Sequence, residues 1–151
     1  MAIQADNITV EFDAENRVII VSSTSIIHAT KQQDCLDVIR TVHDLIIPLL
    51  KGEKGYLILD YGRIWIEPED LSAYAEVLYA ELGDHIYPGG YARYGLGISR
   101  VTSKRMSKYM EDRAPIPLFY TREEAEEYIY DLAAKNKALI AHLNSSQISD
   151  K

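Results

Sequence analysis

Cysteine is nearly missing from this chain of 151 residues, where Cys35 stands alone. A disulfide framework within the chain is thereby excluded. The place of Cys35 in an apolar-periodic stretch marks it as a small core residue. Long apolar runs are missing as well. The longest candidate, LIIPLL at 45–50, contains Pro48 and falls far short of the roughly 20 residues that span a bilayer. The opening MAIQADNITVEF lacks the basic region and apolar core of a signal peptide, so a cytoplasmic location is expected. Positive charge is in deficit: 16 Lys and Arg against 23 Asp and Glu leave a net charge of −7. General nucleic-acid binding needs a basic face, and this balance argues against it.

Catalytic signatures are also absent. No G-x-S-x-G elbow is present. The histidines, His28, His43, His85 and His142, have no metal-ligand spacing on a shared helix. After Gly95 and Gly97 a dinucleotide fingerprint would require a third glycine, but Arg100 stands there. The reading is therefore no catalytic residue, no metal site and no cofactor. An enzyme would need Asp60, His85 and Ser99 to converge in one cleft.

What remains is ordinary for a globular chain: 47% apolar and 26% charged residues. One domain is expected over 1–143, with a flexible tail at 144–151. ITVEF at 8–12 alternates as a half-buried strand does, and RVIIVSS at 17–23 reads as a more buried one. With the turn at 13–16 they form a hairpin. A connector at 24–30 ends in Thr30, which caps a helix in which Leu36, Ile39, Val42, Leu45/Ile46 and Leu49/Leu50 recur at helical spacing. Pro48 closes that helix in its last turn. YLILDY at 56–61 is a central strand, and GRIWIE at 62–67 a loop. Pro68, Glu69 and Asp70 open a second helix carrying Leu71, Ala75, Leu78 and Leu82.

Pro88-Gly89-Gly90 reads as a turn and ARYGLGIS at 92–99 as a strand, with Gly95 and Gly97 on one bare face. A third helix starts at Ser99 or Thr102. IPLFY at 116–120, bracketed by Pro115 and Pro117, is a sheet-edge strand. Thr121-Arg-Glu-Glu124 is a capping box. It opens a helix of about 22 residues, or roughly 33 Å, with Ala125, Tyr128/Ile129, Leu132/Ala133, Leu139/Ile140 and Leu143 inward. The order β-β-α-β-α-β-α-β-α predicts an α/β fold. Its sheet is mixed and mostly parallel, with helical cover and an antiparallel N-terminal edge strand.

Three stretches together resemble the SpoIIAA-like, or STAS/SEC14-type, group of the STAS superfamily. They are GYLILDYGRIWIEPEDLSAYAEVL at 55–78, YGLGISRVTSKRMSKYM at 94–110 and PIPLFYTREEAEEYI at 115–129. The resemblance spans residues 8–135. It implies a STAS-like fold and a non-catalytic regulatory or protein-interaction module. One branch of that superfamily carries a phosphorylatable serine where the helix after the central strand begins. Here that stretch is Ile66-Glu67-Pro68-Glu69-Asp70, with no hydroxyl, and Ser72 lies inside the helix.

Two functions compete on these residues. The first is a regulatory or scaffolding module that binds another protein and itself forms a homodimer. Its motives are the element order, the aromatic loops (Tyr61, Trp65, Tyr87, Tyr91, Tyr94) and a final helix longer than one domain needs to cover. The second is binding of a small molecule, anion or lipid head group. Asp60, Arg63 and Trp65 sit at a strand end, where open α/β sheets place ligands. Ser99, Arg100, Thr102, Ser103 and Lys104 open a helix whose free N–H groups and positive dipole end favour an anion. The charge is also uneven: residues 98–115 carry five bases against two acids, and 64–86 carry six acids and no base.

Overall fold

The computed structural model describes residues 2–5, 7–25, 27–29, 32–60, 62–66, 71–95 and 117–149. Three strands open the chain: β1 (Ala2–Ala5), β2 (Ile8–Asp13) and β3 (Val18–Ser23). Both steps between them are antiparallel, with Ile3 opposite Val10 and Val10 opposite Val21. The expected hairpin is present, but β1 pairs outside it, so β2 is not the edge. Four residues carry too short a pattern to announce a strand. Asp13 closes the hairpin turn, accepting from the Asn16 backbone N–H at 3.2 Å and from Asn16 Nδ2 at 3.0 Å. Arg17 then adopts φ +60°. From there its guanidinium donates to the carbonyls of Lys54 (2.7 Å), Leu50 (2.7 Å) and Glu53 (3.2 Å). The hairpin is thus tied to the loop that feeds the central strand.

A short β4 (Ile27–Ala29) precedes helix α1 (Gln32–Leu50). The expected cap, Thr30, lies outside the described residues. Pro48 stands inside the last turn of α1, two residues before its end. Central strand β5 (Gly55–Asp60) lies parallel to β3, with Ile19 opposite Leu57. After it comes β6 (Ile64–Ile66), where a loop was expected. β4 and β6 form a separate two-stranded parallel sheet with His28 opposite Trp65. Neither three-residue strand shows a period, and the pairing joins segments 37 residues apart.

Helix α2 (Leu71–Leu82) runs into a 3₁₀ turn at Gly83–His85 and then into β7 (Ile86–Tyr94). The strand therefore starts well before residue 92. Pro88-Gly89-Gly90 is not a strand-breaking turn. It lies inside β7 as an irregularity in the parallel ladder with β5: Gly55 faces Ile86, yet Leu57 faces Tyr91. Gly89 takes φ +74° there. Gly95 takes φ +131°, one residue past the end of β7. Gly97 lies outside the described residues, as does the expected third helix. β8 (Leu118–Phe119) pairs parallel with β7 at the sheet edge, and α3 (Arg122–Ser149) follows.

The main sheet has the order β1-β2-β3-β5-β7-β8. The architecture is α/β, with antiparallel strands on the N-terminal side and parallel ones from β3 onward. One face buries Val10, Ile19, Val21, Leu57 and Leu59 against Ile39, Val42, Ile46 and Leu50 of α1 and Leu78 and Leu82 of α2. The other buries Val18, Ile20, Ile58 and Ala92 against Ala125, Ile129 and Ala133 of α3. Alternation along β3 and β5 sends successive side chains to these two cores. That is why both strands read as continuous apolar runs.

Candidate functional site

Of the strand-end site expected from the sequence, the structure describes Asp60, Arg63 and Trp65. Asp60 ends β5, and its Oδ1 accepts the Gly62 N–H at 2.8 Å, the turn-forming role open to any Asp after a strand. Exposed Arg63 donates to the Thr24 carbonyl at 2.9 Å, joining the segments that follow β5 and β3. Trp65 lies in β6, opposite His28. Ser99, Arg100, Thr102, Ser103 and Lys104 lie outside the described residues. His85 precedes Ile86, which faces Gly55 at the start of the β5–β7 ladder, whereas Asp60 faces Tyr94 at its end. Asp60 and His85 therefore stand at opposite ends of the sheet and share no cleft. His85 instead meets His43 edge-on, with ring centroids 5.4 Å apart. Among the described residues, no group of three His, Cys, Asp or Glu side chains could hold a metal ion.

Tyr91 and Tyr94, expected at a loop mouth, are buried. β7 carries both into the cores because it spans 86–94. Burial pushes both phenols up, Tyr94 with added pressure from the Asp60 carboxylate. Arg93, between them in register, is wholly buried and engaged in contacts of its own. A guanidinium in that setting is held in place by its partners.

A polar network that the sequence reading missed ties α3 to the hairpin. Arg122 reaches Glu11 at 3.0 Å and Glu126 at 3.2 Å. Tyr130 Oη donates to Asp13 Oδ2 at 2.8 Å. Asn16 and then Tyr130, by hydrogen bonding to the charged form, hold the Asp13 carboxyl below its ordinary value despite partial burial. Glu11, Asp13, Arg122, Glu126 and Tyr130 line an open crevice of about 320 Å³. Its polar atoms are engaged with one another, so it reads as a half-exposed clasp between helix and hairpin. The Arg122–Glu126 spacing of four was legible in the sequence. The partners Glu11 and Asp13, more than 100 residues away, were not.

The outstanding surface is the outer part of α3. Thr121 caps the helix as expected: its Oγ1 accepts the Glu124 N–H at 3.2 Å and donates to Glu124 Oε1 at 3.1 Å. Ala125, Ile129 and Ala133 then face the sheet. Asn136 Nδ2 donates to Tyr56 Oη at 2.9 Å. Beyond it, every residue from 137 to 145 is exposed. Leu139 is 56% exposed, Ile140 48% and Leu143 52%. Helical spacing alone places Leu139/Ile140 and Leu143 inward, whereas all three are exposed on a helix that runs to Ser149. Their helical spacing is real, but the sheet stops beneath them. Ile140 follows Ile129 by eleven residues, about three turns, so it continues the sheet-facing side past the last strand. Tyr128, also expected inward, is 39% exposed and leans on Phe119 with ring centroids 5.4 Å apart.

Beneath the overhang lies a mostly apolar cleft of about 210 Å³, edged by Ile140 and Ala133. Its floor is Tyr56 stacked on Tyr87 at 5.0 Å. Among the described residues, no helix is long and apolar enough to cross a membrane. No protein-family model matches the chain, and no curated protein sequence matches it.

Proposed function

We propose that this protein is a non-catalytic interaction module of the SpoIIAA-like, STAS type, which engages a protein partner through the outer half of α3. One observation carries the reading: Leu139, Ile140 and Leu143 stand in solvent on a regular helix that has outrun its own sheet. Single exposed leucines are ordinary on soluble proteins. Three in five residues at the projecting end of one helix form a patch, and such patches mark contact sites. The alternation of strands and helices, and the antiparallel N-terminal hairpin on a parallel sheet, support the STAS-type assignment.

An affinity pull-down from the source cell tests the reading, comparing the wild-type chain with Leu139→Asp/Leu143→Asp. The expected result is a captured protein, a second copy included, that the variant fails to hold. Identical captures by both chains would overturn the reading.

A further inference from the structure

Helix α3 is polarised along its length. Residues 122–131 carry Glu123, Glu124, Glu126, Glu127 and Asp131 against Arg122, whereas 132–145 carry Lys135, Lys137 and no acid. At about 100° per residue, Glu124, Tyr128, Asp131, Lys135, Leu139 and Leu143 fall within about 60° of one line along the helix. Glu124, Tyr128, Asp131, Lys135, Leu139 and Leu143 are all exposed. That line thus begins acidic, passes an Asp131–Lys135 ion pair at 2.9 Å and ends in two leucines.

We infer that the occupant of this face is α3 of a second copy, laid antiparallel across a two-fold axis near residue 133. The inference rests on the interaction-module reading and names its partner. In this register Tyr128 of each chain meets Leu139 of the other, and Glu124 lies beside the other chain's Leu143. Asp131 and Lys135 meet their counterparts as an alternating cluster of four charges. A parallel pair would set Asp131 on Asp131 and Lys135 on Lys135, and like charges in contact repel. The polarity of the helix therefore fits only the antiparallel arrangement with itself. It also covers the leucines with an aromatic side chain that the single chain leaves half in water. A lipid surface is the competing occupant for an apolar stripe with lysines. The chain's net charge of −7 opposes approach to an anionic bilayer.

The test is light scattering of the full-length chain over a concentration series. The wild type is expected to dimerise, and Leu139→Asp/Leu143→Asp to remain monomeric with unchanged helicity. Asp131→Lys and Lys135→Asp are each expected to weaken self-association by about tenfold or more. Mixing those two variants restores a heterodimer, because one chain then supplies four-charge complementarity to the other. A wild type that stays monomeric at every concentration overturns the second copy while leaving the pull-down result to stand or fall separately. A dimer untouched by the substitutions overturns α3 as its seat. Leucine-dependent binding of a monomer to vesicles of anionic phospholipid would transfer the surface to membranes and also overturn the inference.

Discussion

Asn136 Nδ2 donates to Tyr56 Oη at 2.9 Å, joining the middle of α3 to the start of the central strand across 80 residues of sequence. Up to this contact α3 is a wall of the hydrophobic core. From residue 137 it is a projection, and its apolar side chains face water.

That division sets unequal costs for similar substitutions. Ile129→Ala removes a fully buried side chain from the α3 core and should cost about 2–5 kcal/mol. Leu139→Asp and Leu143→Asp, made in solvent, should each change monomer stability by no more than about 0.5 kcal/mol. Urea denaturation at low protein concentration measures both.

The start of α3 depends on Thr121. Thr121→Ala removes the oxygen that accepts the Glu124 N–H and should cost about 1 kcal/mol. In a chain of this size that lowers Tm by about 2–4 °C. Thr121→Ser keeps the oxygen and should restore most of the loss in a calorimetric scan.

Gly55 opens β5 where no side chain fits. A Cβ there would lie 2.9 Å from the Arg17 carbonyl oxygen and 2.8 Å from Leu50 Cδ2. The carbonyl belongs to the backbone that pairs with Tyr56, accepting its N–H at 2.9 Å, so it cannot retreat without losing a bond. Gly55→Ala should destabilise by about 1–3 kcal/mol. Gly83→Ala, whose Cβ would meet nothing within 4 Å, serves as the control.

Alkali should loosen the fold through its tyrosines. Burial, and then the hydrogen bond to Asp13, pushes Tyr130 up to about 12. Tyr91 and Tyr94 are raised too, chiefly by burial. A raised phenol favours the neutral form in the folded chain. Its contribution is complete below the unfolded value of about 10 and is lost as pH climbs through the folded one. Unfolding free energy should therefore fall from about pH 10 upward. Tyr130→Phe should flatten the part of that slope between about 10 and 12, and a slope unchanged in the variant would contradict the assignment.

Much of this was legible in the sequence because local signals agreed with the fold. The β2–β3 hairpin, α1, β5 and the Thr121 cap follow from period and turn chemistry. The failures share a cause: contacts made at long range. β1, β4 and β6 are too short to carry a pattern and exist through partners elsewhere in the chain. Pro88-Gly89-Gly90 carries the usual marks of a turn, yet it lies within β7, between the residues that pair with Gly55 and Leu57 of β5. Leu139, Ile140 and Leu143 have the spacing of a core stripe, and spacing cannot report where the sheet ends. Of the candidate ligand residues, Asp60 and Arg63 are occupied with neighbouring loops.

The central claim, that a second copy covers the outer half of α3, is tested most directly by amide hydrogen exchange of residues 137–149 in the full-length chain. Self-association predicts protection in this segment that rises with protein concentration and disappears in Leu139→Asp/Leu143→Asp. Rapid exchange at every concentration, identical in wild type and variant, would contradict it.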